Sequence, residues 1–193
     1  MSQKGNKRED ILRASMKIFA QKGFHNTKVD DIALEAGIGK GTVYQYFESK
    51  IHLFEEMVFY YIEIYKLQLI ETVNANMSFK DKLLKLAINN SKHMAEHFNM
   101  VQKLDVRADM ISDKMKKTMI NKKREMYDVI GEMFDEAIKK GEVRKDLDKE
   151  VVIPAFFGAL NGYCATKYQE GMMKESFVDP TPVVLFLEKA LYE

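Results

Sequence analysis

Six residues in one short segment, Lys40, Gly41, Thr42, Tyr44, Gln45 and Tyr46, have the chemistry needed to read the edges and backbone of duplex DNA. A lysine ammonium can meet a phosphate oxygen or guanine O6 and N7, and a glutamine amide can pair bidentately with adenine N6 and N7. Hydroxyls of Thr42, Tyr44 and Tyr46 can serve either kind of partner, and Gly41 removes a side chain where backbone must approach a groove. Gln45 is the most discriminating of the set. Thr27 and Lys50 flank it, each at an expected helix start, where unpaired backbone N–H groups favour an anion, so both are read as phosphate clamps. The bland alternatives are an N-cap for Thr27, aliphatic tethering for Lys50 and half-buried packing for one of the tyrosines. His25 and Asn26 can add polar contacts, and Lys4, Lys7 and Arg8 can follow the DNA backbone or simply solubilise the terminus.

Other chemistries find less support. His93 and His97 share a helix face, but they read HMAEH, which misplaces Glu96 for a zinc hydrolase, and no further ligand lies nearby in sequence. Cys164 stands in an apolar run and reads as a packing residue. With no nucleophile beside an evident base, the expectation is no enzyme, no metal and no cofactor. Thirteen methionines and twelve phenylalanines suit the wall of an apolar pocket as well as a plain core. The pocket reading takes Phe98, Met126 and Phe134 as wall, with Gln102, Asp105, Arg107, Asn161 or Tyr163 selecting a hydrophobic fatty-acyl or aromatic effector.

Helices must position these groups. Ile11, Ala14, Ile18 and Phe19 predict an amphipathic helix from about Lys7 to Lys22, ended by Gly23. Thr27 is expected to cap the next, with Val29, Ile32 and Ala33 inward and Asp30 and Asp31 in its first turn. Gly37 suits a sharp turn into a short third helix ending near Phe47, and Ser49 caps a long fourth from Lys50. Asn74 to Ser78 breaks the pattern, and Ser78 with Asp81 resembles a reciprocal cap opening a fifth helix. A short apolar segment from Phe98 to Leu104 precedes a helix over 113–140, whose inward stripe includes Met115, Met119, Met126, Ile130, Met133, Phe134 and Ala137. Pro154 should bend the helix after Val151 or sit in its first turn. Pro180 to Pro182 launches the last helix. The broad apolar surface of these final two helices predicts a two-fold dimer.

A chain of 193 residues holds one large core or a core plus a small module. One cysteine, no leader segment and no apolar run of about 20 residues predict a cytoplasmic protein without disulfides or membrane spans. The net charge is only +1, yet residues 1–50 carry nine Lys/Arg against six Asp/Glu. The positive excess thus sits where phosphates would be met. The expected domains are a helix-turn-helix module over 1–50 and a helical effector-binding and dimerisation domain over 51–193.

From Ile11 through Phe54 the chain resembles the TetR family of transcriptional regulators. The resemblance rests on Phe19, Gly23-Phe24, Thr27, Asp31-Ile32-Ala33, Ala36-Gly37, Lys40-Gly41-Thr42, Tyr44, Tyr46-Phe47, Ser49-Lys50 and Leu53-Phe54. Tyr46 stands where many relatives carry histidine. The resemblance implies an all-α homodimer with a three-helix DNA-binding head, a connecting fourth helix and a C-terminal body in which a small effector controls head spacing. It implies a repressor released from an inverted-repeat operator. The competing readings are a constitutive architectural DNA binder and a small-molecule enzyme with a DNA-binding head.

Overall fold

The computed structural model describes residues 6–104, 111–170 and 177–192, and the side chains of all these except 96–104. Among them are eight helices and no strand: α1 (Lys7–Asn26), α2 (Val29–Glu35), α3 (Lys40–Tyr46), α4 (Lys50–Asn74), α5 (Phe79–Leu104), α6 (Asp113–Lys140), α7 (Lys149–Gln169) and α8 (Thr181–Tyr192). Two compact units form. One comprises the chain up to residue 64 with residues 97–119; the other comprises residues 65–96 and the chain from residue 120.

The first unit is built on aromatic packing. Phe19, Phe24 and Phe54 meet with ring centroids 5.3–5.7 Å apart, and Ile11, Leu12, Ile32, Leu53 and Met57 are fully enclosed with them. Gly23 adopts φ +77° inside α1, which breaks the helix before its final turn. At the end of α2, Gly37 takes φ +66°; its N–H donates to Leu34 O, and the N–H of Ile38 donates to Ala33 O at 3.0 Å. This paired closure needs a left-handed residue, so glycine fixes the turn that aims α3. Seven residues are too few for an isolated helix, and α3 is held by burial of Val43 and Phe47. Ser49 Oγ accepts from His52 N at 3.1 Å, opening α4 as expected.

In the second unit Leu69, Leu83, Ala87, Ile130, Phe134, Ile153, Phe156, Leu160 and Val184 share one core with their neighbours. Ser78 Oγ accepts from Asp81 N at 3.1 Å, the N-cap half of the pattern read from the sequence, while the Asp81 carboxylate accepts from the Ser78 hydroxyl at 2.6 Å. Gly141, at φ +74°, closes α6 in the manner of Gly37. Asp148 caps α7 through its side chain, and Asp179 Oδ1 accepts from Thr181 N at the start of α8.

Several local expectations are corrected. The apolar stretch from Phe98 to Leu104 is no separate segment, because α5 continues through it to Leu104. Thr27 does not cap α2: Lys28 holds that position, and its N–H donates to Asp31 Oδ2 at 3.1 Å. Met119 is partly exposed instead of inward. Pro154 lies within α7, past its first turn.

Candidate nucleic-acid interface

α3 presents two faces because its seven residues make fewer than two turns. Val43, with Phe47 just beyond, points into the core, while Gly41, Tyr44, Gln45 and Tyr46 are exposed and Thr42 is half-buried. Tyr44 and Tyr46 remain 47% and 41% exposed, whereas Phe47 beside them is 1% exposed. Nothing lies within 4 Å of where a Cβ on Gly41 would stand, so the approach to the backbone of α3 is open. Lys40, the first residue of α3, is exposed, and its Nζ lies 2.7 Å from Asp30 Oδ2 of α2. That hydrogen bond raises the Lys40 pKa above the ordinary lysine value. Six of the eight residues read as DNA contacts are thus brought together on α3.

The other two sit differently. Thr27 is 1% exposed, and its hydroxyl donates to Gly23 O at 2.6 Å. Its hydroxyl closes the break in α1 and faces no solvent. Lys50 reaches back from the start of α4 to the turn between α1 and α2. Its Nζ donates to Phe24 O at 2.8 Å, Thr27 O at 3.0 Å and His25 O at 3.3 Å, and lies 4.5 Å from the Phe24 ring centre. Burial pushes its pKa below the ordinary lysine value. An ammonium has three donors, and here all three are engaged by carbonyls left open at a helix end.

Ion pairs temper the positive charge of this unit. Lys17 pairs with Glu35 at 2.6 Å, Lys22 with Asp31 at 2.9 Å and Arg8 with Glu56. The Lys22 contact is the main reason the Asp31 carboxyl lies below its usual range. Sequence reading missed one exposed group here: Leu34, on α2 beside the turn, is 82% exposed. Its signal was visible, since Leu34 falls outside the inward register of Val29, Ile32 and Ala33.

In the second unit Met126, Phe134 and Tyr163 belong to, or pack against, one apolar cluster, and Phe134 is wholly enclosed against Phe79. Asn161 Oδ1 accepts from Asn90 Nδ2 at 2.9 Å. Phe98 and Gln102 are side chains outside the described set, as are Asp105 and Arg107. A cleft of about 470 Å³ runs along α6 and α7, lined by Arg124, Tyr127, Asp128, Lys149 and Ile153 among others, and among the described residues Met126, Phe134, Asn161 and Tyr163 do not line it. The sequence reading also missed a buried polar layer. Tyr65 OH donates to Asn90 Oδ1 at 3.2 Å, His93 stacks on Tyr65 with centroids 4.1 Å apart, and Tyr168 OH donates to Ser91 O. Its signal lay in Asn90 and Ser91 continuing the inward register of Leu83 and Ala87. Among the described residues no group of three or more His, Cys, Asp or Glu side chains is placed to hold a metal ion, and no helix is long and apolar enough to cross a membrane.

Residues 11–57 match the family model of bacterial regulatory proteins, tetR family. Over 171 residues, 83% of each sequence, the chain is 29% identical to the fatty acid metabolism regulator protein of Bacillus subtilis. The fold is similar to that of the fatty acid degradation regulator FadR from Bacillus halodurans, with a TM-score of 0.75, 21% identity and 96% of each chain covered. It is also similar to FadR from Bacillus subtilis in complex with stearoyl-CoA, with a TM-score of 0.72 and 22% identity over 93% of this chain and 96% of that one.

Proposed function

We propose, on the premise that the chain carries the DNA-binding head of the tetR family of bacterial regulatory proteins, that it is a homodimeric transcriptional repressor released from an inverted-repeat operator by a long-chain fatty acyl thioester. The observation that carries the DNA-binding half is the exposed Tyr44-Gln45-Tyr46 surface on a helix whose opposite side is locked into a core by Val43 and Phe47. Side chains held this way enter a major groove without first being ordered, which favours sequence reading over loose attachment. The effector class is supported by likeness over most of the chain to a fatty acid metabolism regulator, and by the stearoyl-CoA held in one neighbour of the same fold.

The dimer reading rests on α7 and α8. Phe186 is 74% exposed, Val151 and Leu185 are also exposed, and Gly158 and Gly162 stand on the exposed side of α7. A mid-helix glycine costs about 1 kcal/mol relative to alanine. Nothing lies within 4 Å of where either Cβ would stand. Two such residues in one helix are consistent with the close approach of a second copy. A two-fold pair would place two α3 helices about one DNA turn apart, roughly 34–36 Å, on a palindromic site. Acyl thioester binding would act by favouring a head spacing that no longer fits that site, which requires different affinity for the two arrangements.

Selection from random duplexes tests the reading, followed by titration of the selected site with stearoyl-CoA, free CoA and stearate. The expected result is an inverted repeat released by the first and not by free CoA. Selection of no sequence, or a complex indifferent to every acyl compound, would defeat it.

A further inference from the structure

The Asp30 and Lys40 ion pair sits at the starts of α2 and α3, with the two side chains 60% and 49% exposed. An exposed pair of this kind contributes little to stability. A carboxylate on a surface that meets phosphates is also unfavourable unless something on the DNA accepts it. Asp30 also lies in the first turn of α2, where a negative charge is favourable, but Asp31 already serves that end and caps the helix, so neither role requires a second carboxylate facing Lys40. Two neighbouring features bear on what the pair faces: Gly41 leaves the adjacent backbone open, and Lys40 is held toward α2 at 2.7 Å instead of extending freely into solvent.

We propose that Asp30 and Lys40 read one C·G base pair as a unit, with Lys40 Nζ donating to guanine O6 and N7 and the Asp30 carboxylate accepting from cytosine N4. This rests on the proposed DNA binding. In the major groove the cytosine amino group and guanine O6 stand side by side, a donor next to an acceptor. The ion pair presents the complement, an acceptor next to a donor, 2.7 Å apart. Against thymine the carboxylate would face O4, which is another acceptor, and a methyl group. Against a phosphate it would face like charge. The pair thereby rejects as well as attracts, and the rejecting partner is Asp30.

The test uses the full chain and its Asp30→Ala, Lys40→Ala and doubly substituted forms in parallel selections from random duplexes, with melting temperatures measured alongside. The unsubstituted protein should select C·G at one position of each half-site. Asp30→Ala should leave the melting temperature and the other positions unchanged, and should lower discrimination at that base pair about tenfold. Its affinity for unrelated duplex DNA should be equal or higher, because a negative charge is gone. The double substitution should relax that position further than Lys40→Ala alone, because Asp30 by itself would still accept from cytosine N4 and reject thymine. An unchanged base preference in Asp30→Ala would overturn the inference while leaving DNA binding intact, and the pair would then merely join α2 to α3. If the unsubstituted protein selects no sequence, the DNA-reading proposal itself falls, and this inference with it.

Discussion

Lys50 offers the sharpest contrast between holding the fold and holding DNA. Its ammonium donates to three backbone carbonyls between Phe24 and Thr27, at distances from 2.8 to 3.3 Å. Hydrogen bonds from a charged donor contribute about 1.5–3 kcal/mol each when buried. This site is only half-buried and water can replace part of what is lost, so Lys50→Met should cost about 2 kcal/mol in total. Methionine retains the stem over the Phe24 ring, which confines the loss to the ammonium. For a chain of this size that loss corresponds to a fall of roughly 4–8 °C in melting temperature. Scanning calorimetry of the two proteins measures it directly. Loss of a lysine that neutralised a phosphate would instead reduce the salt slope of DNA binding by about one unit. Because its donors are already committed, Lys50→Met should leave that slope within a few tenths. An unchanged melting temperature together with a slope lower by one would refute the reasoning and restore Lys50 as a phosphate clamp.

Gln45→Ala should relax base preference at one position of each half-site and cost about 1–3 kcal/mol at the cognate base, read by competition between operator variants. Phe186→Asp should convert a dimer to a folded monomer in sedimentation, whereas Tyr163→Asp should unfold the body, because Tyr163 packs against the apolar cluster of its own chain. Gly158→Leu should likewise favour the monomer, since the space beside it is open within one chain. The Arg144 guanidinium holds the Asp146 carboxyl down at about 2 from the usual 3.8. Because the folded value is depressed, the pair's contribution is present above the ordinary carboxylate value and is lost as pH falls through about 2. Acid denaturation of Asp146→Asn should therefore lose a small part of its pH dependence in that window.

Local chemistry was the most legible part of the fold. Gly37 and Gly141 mark helix ends that need positive φ, Ser49 and Ser78 cap the helices that follow them, and α6 runs from Asp113 to Lys140 as its periodicity predicts. Each signal depends on neighbours within a few residues. Thr27 shows where that reach ends. A threonine before an amphipathic run reads as a cap, yet Gly23 O competes for the hydroxyl because α1 breaks there and leaves a carbonyl open. Lys50 was ambiguous for a related reason, since its partners lie 23 to 26 residues away. The α3 surface was legible because Val43 and Phe47 define its inner side by register alone. In the buried layer around Tyr65, Asn90 and Ser91, the register of α5 marks Asn90 and Ser91 as inward, but their partners on two other helices are stated by no local pattern. The methionines and phenylalanines left the effector class open, and the acyl thioester proposed above rests on likeness to a fatty acid metabolism regulator over 83% of the chain.

On the proposed function, one dimer both reads an inverted repeat and releases it when an acyl thioester binds. Fluorescence anisotropy of a labelled selected operator, at fixed salt and with increasing stearoyl-CoA, measures both halves in a single titration. The expected result is a saturable loss of operator affinity of about 5- to 150-fold, the usual range of coupling between sites. Stearoyl-CoA that binds the protein and leaves operator affinity unchanged would contradict it.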